Sequence, residues 1–194
     1  MIALVHPACP NPAALAAGNY ADKKNKDALR KSTFGKCMYC ESKMEHNSYS
    51  HVEHIKPKSN KKFPELKFVW ENLGFSCTCC NTNKGEKYNE DTPFINPYKD
   101  NPEDHLDFLD FYIYPKNGSK RGEYTERELE LNRSGLVDDR KERMIIIKRM
   151  IKAANITKND LLRNQAMEEI KNEAKQDKEY SAMVKSLLIA QGIL

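Results

Sequence analysis

The last third of the chain carries apolar residues at helical spacing. Five of them fall on one side of a helix: Leu136, Met144, Ile147, Met150 and Ile151. Thr157 and Asp160 then resemble a capping box with Asp in place of Glu, and they precede a second apolar stripe. That stripe consists of Leu161, Leu162, Met167 and Ile170. With a last helix predicted at about 180–189, this part of the chain should be mainly helical.

The rest of the chain alternates short apolar runs with polar or proline-containing segments. Residues 1–19 hold three prolines and predict an irregular surface arm, and residues 20–33 predict a short polar helix. Residues 50–55 and 108–114 are strand candidates, and a turn is predicted at 118–122. The polar residues after Cys80 should open a helix that ends near Gly85 or Asn89.

These elements predict an α+β protein in three parts. The parts are an arm and short helix at 1–29, a small module at 30–92, and a connector, strand and mainly helical C-terminal part at 93–194. The 194 residues are enough for one sizeable core, or for one core with an appended helical lobe. No run approaches the roughly 20 apolar residues of a membrane span. The apolar N-terminus lacks a basic start and is interrupted by prolines, so we predict a cytoplasmic protein without a signal peptide.

Charge changes this picture only locally, because the formal net charge is a mild +4. Residues 56–67 carry five lysines against one glutamate. A lysine run is usually a solvated loop. This run directly follows a histidine motif, so contact with phosphate is the preferred interpretation, with Lys56 and Lys58 as the first candidates.

Four of the six cysteines form two pairs with the same spacing. The pairs are Cys37 with Cys40 and Cys77 with Cys80. Such pairs could be disulfides in a secreted chain, but in a cytoplasmic one they predict a tetrahedral zinc site. Cys79 could compete for the metal, although Cys77 and Cys80 match the first pair's spacing. The 36 residues between the pairs exceed the interval of a compact zinc finger.

The insert between the pairs carries residues suited to phosphodiester hydrolysis. A divalent cation can neutralise the phosphate, and a neutral imidazole can take a proton from water. His54 is the candidate base, and Glu53 with Asn81 would suffice to hold Mg²⁺, which keeps several waters. Lys84, one helical turn after Asn81, could reach a phosphate. For His51, strand packing and contact with phosphate or a metal-bound water both remain open.

The segment VEHIKPKS…WENLGFSCTCCNTNKG resembles the HNH endonuclease motif, a ββα-metal fold flanked by zinc-binding cysteine pairs. The resemblance implies that His54 is the general base and that Glu53 and Asn81 hold a catalytic Mg²⁺ or Mn²⁺. It also implies that Asn72 orients the catalytic loop. The zinc would be structural, because so short a ββα element has too little core to hold its own shape.

Further sequence features resemble those of the HNH nucleases of Septu-type and retron-associated anti-phage systems. It comprises YCE at the first cysteine pair, EH-x-x-PKS, Trp70 before Asn72, and Leu131-Asn132 ahead of a helix. These nucleases act beside an ATPase of the ABC/SMC-like class, so the resemblance implies DNA as substrate and an ATPase as partner. Two alternatives stay open. One is a zinc ribbon that binds DNA or protein without cutting, and the other is a nuclease that is active only with its ATPase partner.

Overall fold

A computed structural model of the protein describes residues 1–44, 50–59 and 62–194. The helices and strands within these ranges are α1 (Pro12–Ala16), α2 (Lys23–Ser32), β1 (Ser50–His54), β2 (Leu73–Cys77), α3 (Thr78–Lys84), β3 (Leu106–Leu109), β4 (Tyr112–Pro115), α4 (Lys120–Glu128), α5 (Ser134–Ile156), α6 (Asp160–Asn172) and α7 (Ser181–Ala190). Short 3-10 turns lie at Pro64–Leu66, Trp70–Asn72 and Pro102–Asp104. The described strands form two separate antiparallel pairs, β1 with β2 and β3 with β4. The predicted α+β class is confirmed.

β1 and β2 bring the two cysteine pairs together. Their register runs from Ser50 opposite Cys77 to His54 opposite Leu73. The loop of the first pair lies directly on β2, where the Met38 backbone N–H donates to the Phe75 carbonyl at 3.0 Å. Gly74 permits this approach, because a Cβ at that position would stand 2.4 Å from the Met38 sulfur. The first cysteine pair is thereby placed beside the end of the strand that carries the second.

α3 follows β2 without a loop and packs against both strands. It begins earlier than predicted because Cys77 caps it: the Cys77 Sγ accepts a hydrogen bond from the Cys80 backbone N–H at 3.4 Å. The helix ends at Gly85, as predicted. Gly85 has φ +49°, a left-handed value that L residues with a side chain rarely adopt.

The predicted strand at 108–114 is two strands joined by a tight turn. β3 pairs with β4, and the chain reverses at Asp110, whose φ is +54°. Asp tolerates this left-handed conformation better than most residues. The turn was missed because one polar residue, Asp110, also fits the alternating pattern of a single strand. The predicted turn at 118–122 is also shorter, because Gly122 lies inside α4, where a Cβ would stand 2.3 Å from the His105 carbonyl oxygen.

The C-terminal helices confirm the first predicted stripe and correct the second. Of the first stripe, Leu136, Met144, Ile147 and Ile151 are buried in α5. The capping-box prediction was wrong: Asn159 caps α6 by accepting from the Leu162 N–H, while Thr157 ends α5 by donating to the Ala153 carbonyl. Leu161 is 67% exposed, so the start of the second stripe faces outwards.

The N-terminal arm lies largely on the surface, as predicted, but specific contacts fix it to the fold. Leu15 is buried, and the Leu4 N–H donates to the Pro97 carbonyl at 2.8 Å. Trp70 is buried with the core, and its indole N–H donates to the Pro7 carbonyl at 2.7 Å. The arm therefore holds the turn that precedes β2.

The start of α7 is tied to the first cysteine pair by buried polar contacts. Lys36 Nζ donates to Glu41 at 3.1 Å and to the Lys178 carbonyl at 2.8 Å. The Ser181 hydroxyl donates to the same Glu41 carboxylate at 2.8 Å. The C-terminal helices thus share one core with the cysteine-containing module. None of the helices in the described part of the chain combines the length and apolar character needed to cross a membrane.

Candidate active site and metal centre

The two cysteine pairs converge on one point. The sulfur atoms of Cys37, Cys40, Cys77 and Cys80 all lie within 4.8 Å of one another. A tetrahedral zinc with sulfur ligands at about 2.3 Å needs sulfur–sulfur separations of about 3.8 Å, and Cys40 and Cys77 stand 3.9 Å apart. Cys79 is exposed and lies outside the cluster. The donor set therefore fits a zinc ion held by these four thiolates.

Two arginines supply positive charge beside this cluster. Arg133 Nη1 lies 3.8 Å from the Cys80 sulfur, and Arg140 is almost wholly buried nearby, with Nη1 donating to the Leu131 carbonyl at 2.7 Å. Burial lowers the pKa of Arg133, but the negative charge of the cysteines outweighs burial and raises that pKa overall. Four thiolates around one Zn²⁺ carry a net charge of −2, which these cations would balance.

An open cleft of about 480 Å³ lies beside β1 and the start of α3. Glu53, His54, Asn81 and His51 line it together, although Asn81 is 27 residues from His54 in the chain. The antiparallel register places the end of β1 opposite the start of β2. α3, which follows β2, packs against both strands. Among the described residues, the four cysteines form the one group of three or more His, Cys, Asp and Glu side chains close enough to hold a metal. The cleft therefore offers a partial ligand set rather than a closed cage.

Glu53 is buried and forms an ion pair beneath the cleft. Lys84 Nζ lies 2.7 Å from Glu53 Oε1 and donates to the His54 carbonyl at 2.7 Å. Both side chains of the pair are at most 2% exposed. Burial raises the pKa of the Glu53 carboxyl, and the Lys84 ammonium partly offsets this rise. The Lys84 ammonium faces inwards in this arrangement, which disfavours the phosphate contact that the sequence predicts.

His54 is held as a neutral imidazole with a defined tautomer. Its Nε2 lies 3.0 Å from the Lys67 carbonyl oxygen, which can only accept, so Nε2 carries the proton and Nδ1 has the free lone pair. Burial lowers the pKa of His54 to about 4, with further lowering by the Lys58 and Lys84 ammonium groups. The ring of Tyr20 packs edge-on against the imidazole, with centroids 4.7 Å apart. His54 is therefore unprotonated, and able to accept a proton, at neutral pH.

Asn72 braces the loop between β1 and β2. Its amide oxygen accepts from the Lys56 N–H at 2.8 Å, and its amide nitrogen donates to the carbonyls of Lys56 at 3.0 Å and Leu66 at 3.2 Å. The side chain is buried, so these bonds are shielded from water. This geometry matches the loop-orienting role that the resemblance implies.

The comparisons with known proteins agree with this geometry. Residues 37–87 match the family model described as HNH endonuclease. The chain contains an HNH endonuclease domain. It is also 33% identical over 150 residues to the Septu protein PtuB of Bacillus mycoides (strain KBAB4), a match that covers 62% of this chain and 51% of that protein. A second Septu protein PtuB, from Bacillus thuringiensis, is 36% identical over 106 residues, covering 54% of this chain and 40% of its own length.

The chain thus spans about half or less of the length of the curated relatives it matches. The matched HNH segment contains both cysteine pairs and every predicted catalytic residue. Those residues are Glu53, His54, Asn72 and Asn81. The resemblance to HNH nucleases of Septu systems is therefore confirmed at the level of the domain and of these relatives.

The lysines of the loop between β1 and β2 point in several directions, and their contacts with phosphate stay a prediction. Lys58 lines the cleft, with its ammonium 4.0 Å from the centre of the Tyr20 ring. Lys56 lines a different cleft, where its ammonium stands 4.8 Å from the centre of the Phe63 ring. Lys62 donates to the Glu86 carbonyl at 2.8 Å, and Lys61 lies outside the described residues.

His51 lies on the cleft side of β1, where its Nε2 is 3.2 Å from the Thr78 hydroxyl. Three further cleft residues were missed by sequence reasoning: Tyr20, Lys67 and Glu86. Glu86 directly follows α3, and Lys67 belongs to the lysine-rich segment 56–67. Both residues are therefore close in the sequence to predicted site residues. Tyr20 stands 34 positions before His54, and no local pattern connects the two.

Proposed function

We propose that this protein is a metal-dependent endonuclease that hydrolyses phosphodiester bonds of DNA, as the nuclease of an anti-phage defence system. The observation that carries the proposal is the state of His54. A neutral imidazole, held by the Lys67 carbonyl and facing a cleft that it shares with Glu53 and Asn81, is the arrangement that a general base requires. We further propose that the protein acts in the cytoplasm, where reducing conditions keep the cysteines available for zinc.

Glu53 and Asn81 would hold the catalytic Mg²⁺ or Mn²⁺. The residues fit such an ion, because Mg²⁺ binds through one or two protein oxygens and retains several waters. Lys84 pairs with Oε1 of Glu53, and Oε2 is the oxygen proposed to bind the ion. When bound, the ion would supply charge neutralisation of the phosphate and stabilisation of the leaving oxygen. Zinc on the four cysteines would be structural.

His54 would take a proton from the attacking water at Nδ1, because Nε2 already donates to the Lys67 carbonyl. Asn72 would keep the loop in place through its three hydrogen bonds, so that the Lys67 carbonyl stays opposite the imidazole. Lys58 and Lys67, which line the cleft, replace Lys84 and Lys56 as the proposed phosphate contacts. Since these contacts are to backbone phosphates, we expect weak sequence preference and strong salt dependence.

The test is cleavage of supercoiled plasmid by the full chain with Mg²⁺ or Mn²⁺, with EDTA, and by His54→Ala. His105→Ala is the matched control, because His105 bonds Ser119 outside the cleft. Metal-dependent cutting that is lost in His54→Ala and kept in His105→Ala supports the proposal. Cutting that survives in His54→Ala contradicts the assignment of the base. No cutting by zinc-loaded wild type favours the zinc-ribbon binding module or the partner-dependent nuclease.

We also propose an ABC/SMC-like ATPase of the same defence system as partner, since the relatives are named Septu proteins. The C-terminal helices carry exposed apolar residues around the α5–α6 turn, at Ile156, Leu161 and Leu162. Truncation cannot test this surface, because α5 and α7 contribute to the shared core. Co-purification of the full chain with the co-expressed ATPase should instead be compared between wild type and Leu161→Glu. An equal yield of complex would exclude this surface from the interface.

A further inference from the structure

Two aromatic rings continue the catalytic cleft away from His54. The Tyr20 ring contacts the imidazole edge-on, and the Phe68 ring lies next to Tyr20, with centroids 6.4 Å apart. Phe68 does not itself line the cleft, but it adjoins Tyr20, which does, and it is 38% exposed although it is a large apolar side chain. The row from His54 through Tyr20 to Phe68 therefore ends in an aromatic surface that solvent can reach.

Tyr20 and Phe68 each have a lysine beside the ring. The Lys58 ammonium stands over Tyr20 at 4.0 Å from the ring centre, and the Lys67 ammonium stands over Phe68 at 5.1 Å. Both lysines also line the catalytic cleft. Alternation of aromatic faces and cationic groups along a groove is the pattern that proteins use to bind single-stranded nucleic acid, where bases stack on rings and lysines contact phosphates.

The backbone at Gly18 passes close to the tip of the Phe68 ring. Gly18 lies near the tip of the ring, since a Cβ at Gly18 would stand 3.7 Å from Phe68 Cζ, within ordinary contact distance. Gly18 has φ +80°, so the chain adopts a left-handed conformation at the point where it passes the ring. The tip of the ring thus lies against this turn of the backbone, while Phe68 stays 38% exposed.

We propose that Phe68, with Tyr20, forms a stacking subsite for an unpaired base next to the scissile phosphate. The inference rests on the proposed function, because it names the form of DNA that the HNH cleft accepts. Paired and stacked bases present only their edges to a protein, so a ring face can stack only on a base that has left the duplex. The preferred substrate is therefore DNA with unpaired nucleotides at the cleavage position, such as single strands, frayed ends or distorted junctions.

The experiment measures binding in the full-length His54→Ala chain, so that the DNA remains intact. Three labelled probes of about 20 nucleotides are compared by fluorescence anisotropy: a thymidine strand, an abasic strand of the same length, and a blunt duplex. Stacking of one base contributes about 1–3 kcal/mol, so Phe68→Ala should raise the Kd for the thymidine strand by at least about fivefold. It should change the Kd for the abasic strand by less than about twofold, because lysine–phosphate contacts remain.

Three variants separate stacking from other effects. Phe68→Tyr keeps an aromatic face and should retain binding, while Phe68→Leu keeps apolar bulk without the ring and should lose it. Tyr114→Ala is the matched control, because Tyr114 is 47% exposed on the β3–β4 hairpin and does not line the cleft. Equal weakening on thymidine and abasic strands, or no weakening on either, overturns the proposal.

Failure of the subsite and failure of the proposed function give different results. A base-dependent loss of binding in Phe68→Ala, together with an inactive wild type, leaves the subsite and removes the hydrolytic proposal. The opposite result is metal-dependent cleavage by wild type, with cleavage of single strands and duplexes by Phe68→Ala equal to that by wild type. That result supports the nuclease proposal and refutes the stacking subsite.

Discussion

The buried ion pair between Lys84 and Glu53 makes a strong prediction about Lys84→Met. This change keeps the length and bulk of the side chain but removes the charge next to Glu53, whose side chain is 2% exposed. Removing one partner of a buried ion pair costs about 3–5 kcal/mol, because the other charge is left uncompensated. At roughly 2–4 °C per kcal/mol for a chain of this size, Tm should fall by roughly 6–20 °C.

The assay is equilibrium unfolding in denaturant, followed by the fluorescence of Trp70. Trp70 is the single tryptophan of the chain and is buried at the end of the loop between β1 and β2, so its emission reports unfolding of the site. Lys87→Met is the matched control. Lys87 pairs with Glu128 at 3.0 Å, but its side chain is 50% exposed, and such surface pairs contribute about 0–1 kcal/mol. The double variant Glu53→Gln/Lys84→Met should regain part of the lost stability, because it removes the uncompensated charge.

Added Mn²⁺ provides a further check. An ion bound to Glu53 compensates the carboxylate, so the deficit of Lys84→Met relative to wild type should shrink as Mn²⁺ is added. If Lys84→Met unfolds within about 1 kcal/mol of wild type while DNA binding weakens, the side chain contacts phosphate after all. The burial argument would then be refuted.

Four further predictions concern the zinc cluster, the base and the loop between β1 and β2. Cys80→Ser should lose the bound zinc and the folded state, whereas Cys79→Ser should keep one zinc per chain. A colorimetric metal assay measures the zinc content. Equal zinc content in the two variants contradicts the ligand assignment. Burial lowers the pKa of His54 to about 4. The rate of single-turnover cleavage should therefore stay constant from pH 8 to about 5 and fall only towards pH 4. A pH–rate profile with an apparent pKa near 6.5 would contradict the buried base. The same shift means that the unfolded chain binds more protons between about pH 6.5 and 4, so the His54 contribution to stability is complete above pH 6.5 and is lost as pH falls towards 4. Asn72→Ala leaves the Lys56 N–H and two carbonyls without their partner. It should therefore lower the free energy of unfolding in urea by about 1–3 kcal/mol and reduce cleavage. An unchanged urea midpoint would argue against the bracing role.

Short-range chemistry was readable from the sequence because it depends on spacing along the chain. The two-residue gap in each cysteine pair places both sulfurs on one turn, and all four sulfurs meet as predicted. Glu53 and His54 are adjacent on a strand end, and the structure brings both of them to one cleft. The main helices of the C-terminal part were likewise visible, since burial on one face leaves a periodic apolar pattern.

Errors arose where a local pattern has more than one physical solution. Residues 108–114 read as one strand, but a single left-handed residue at Asp110 divides them into a hairpin. Thr157 and Asn159 can both cap a helix, and only the path of the chain after α5 assigns the cap to Asn159. Lys84 sits one turn after Asn81, yet α3 packs on β1, which directs the lysine inwards to Glu53.

The sequence by itself determined the chemical parts: four thiolates for a metal, a carboxylate and imidazole side by side, and two amides at fixed intervals. Spacing and residue type carry this information, because ligand chemistry and helix or strand periodicity are local properties. Only the tertiary structure decided which charges face the cleft and which face the core. It also brought Tyr20 beside His54 and Lys58, because contacts between residues distant in the chain depend on how whole elements pack and leave no periodic trace in the sequence.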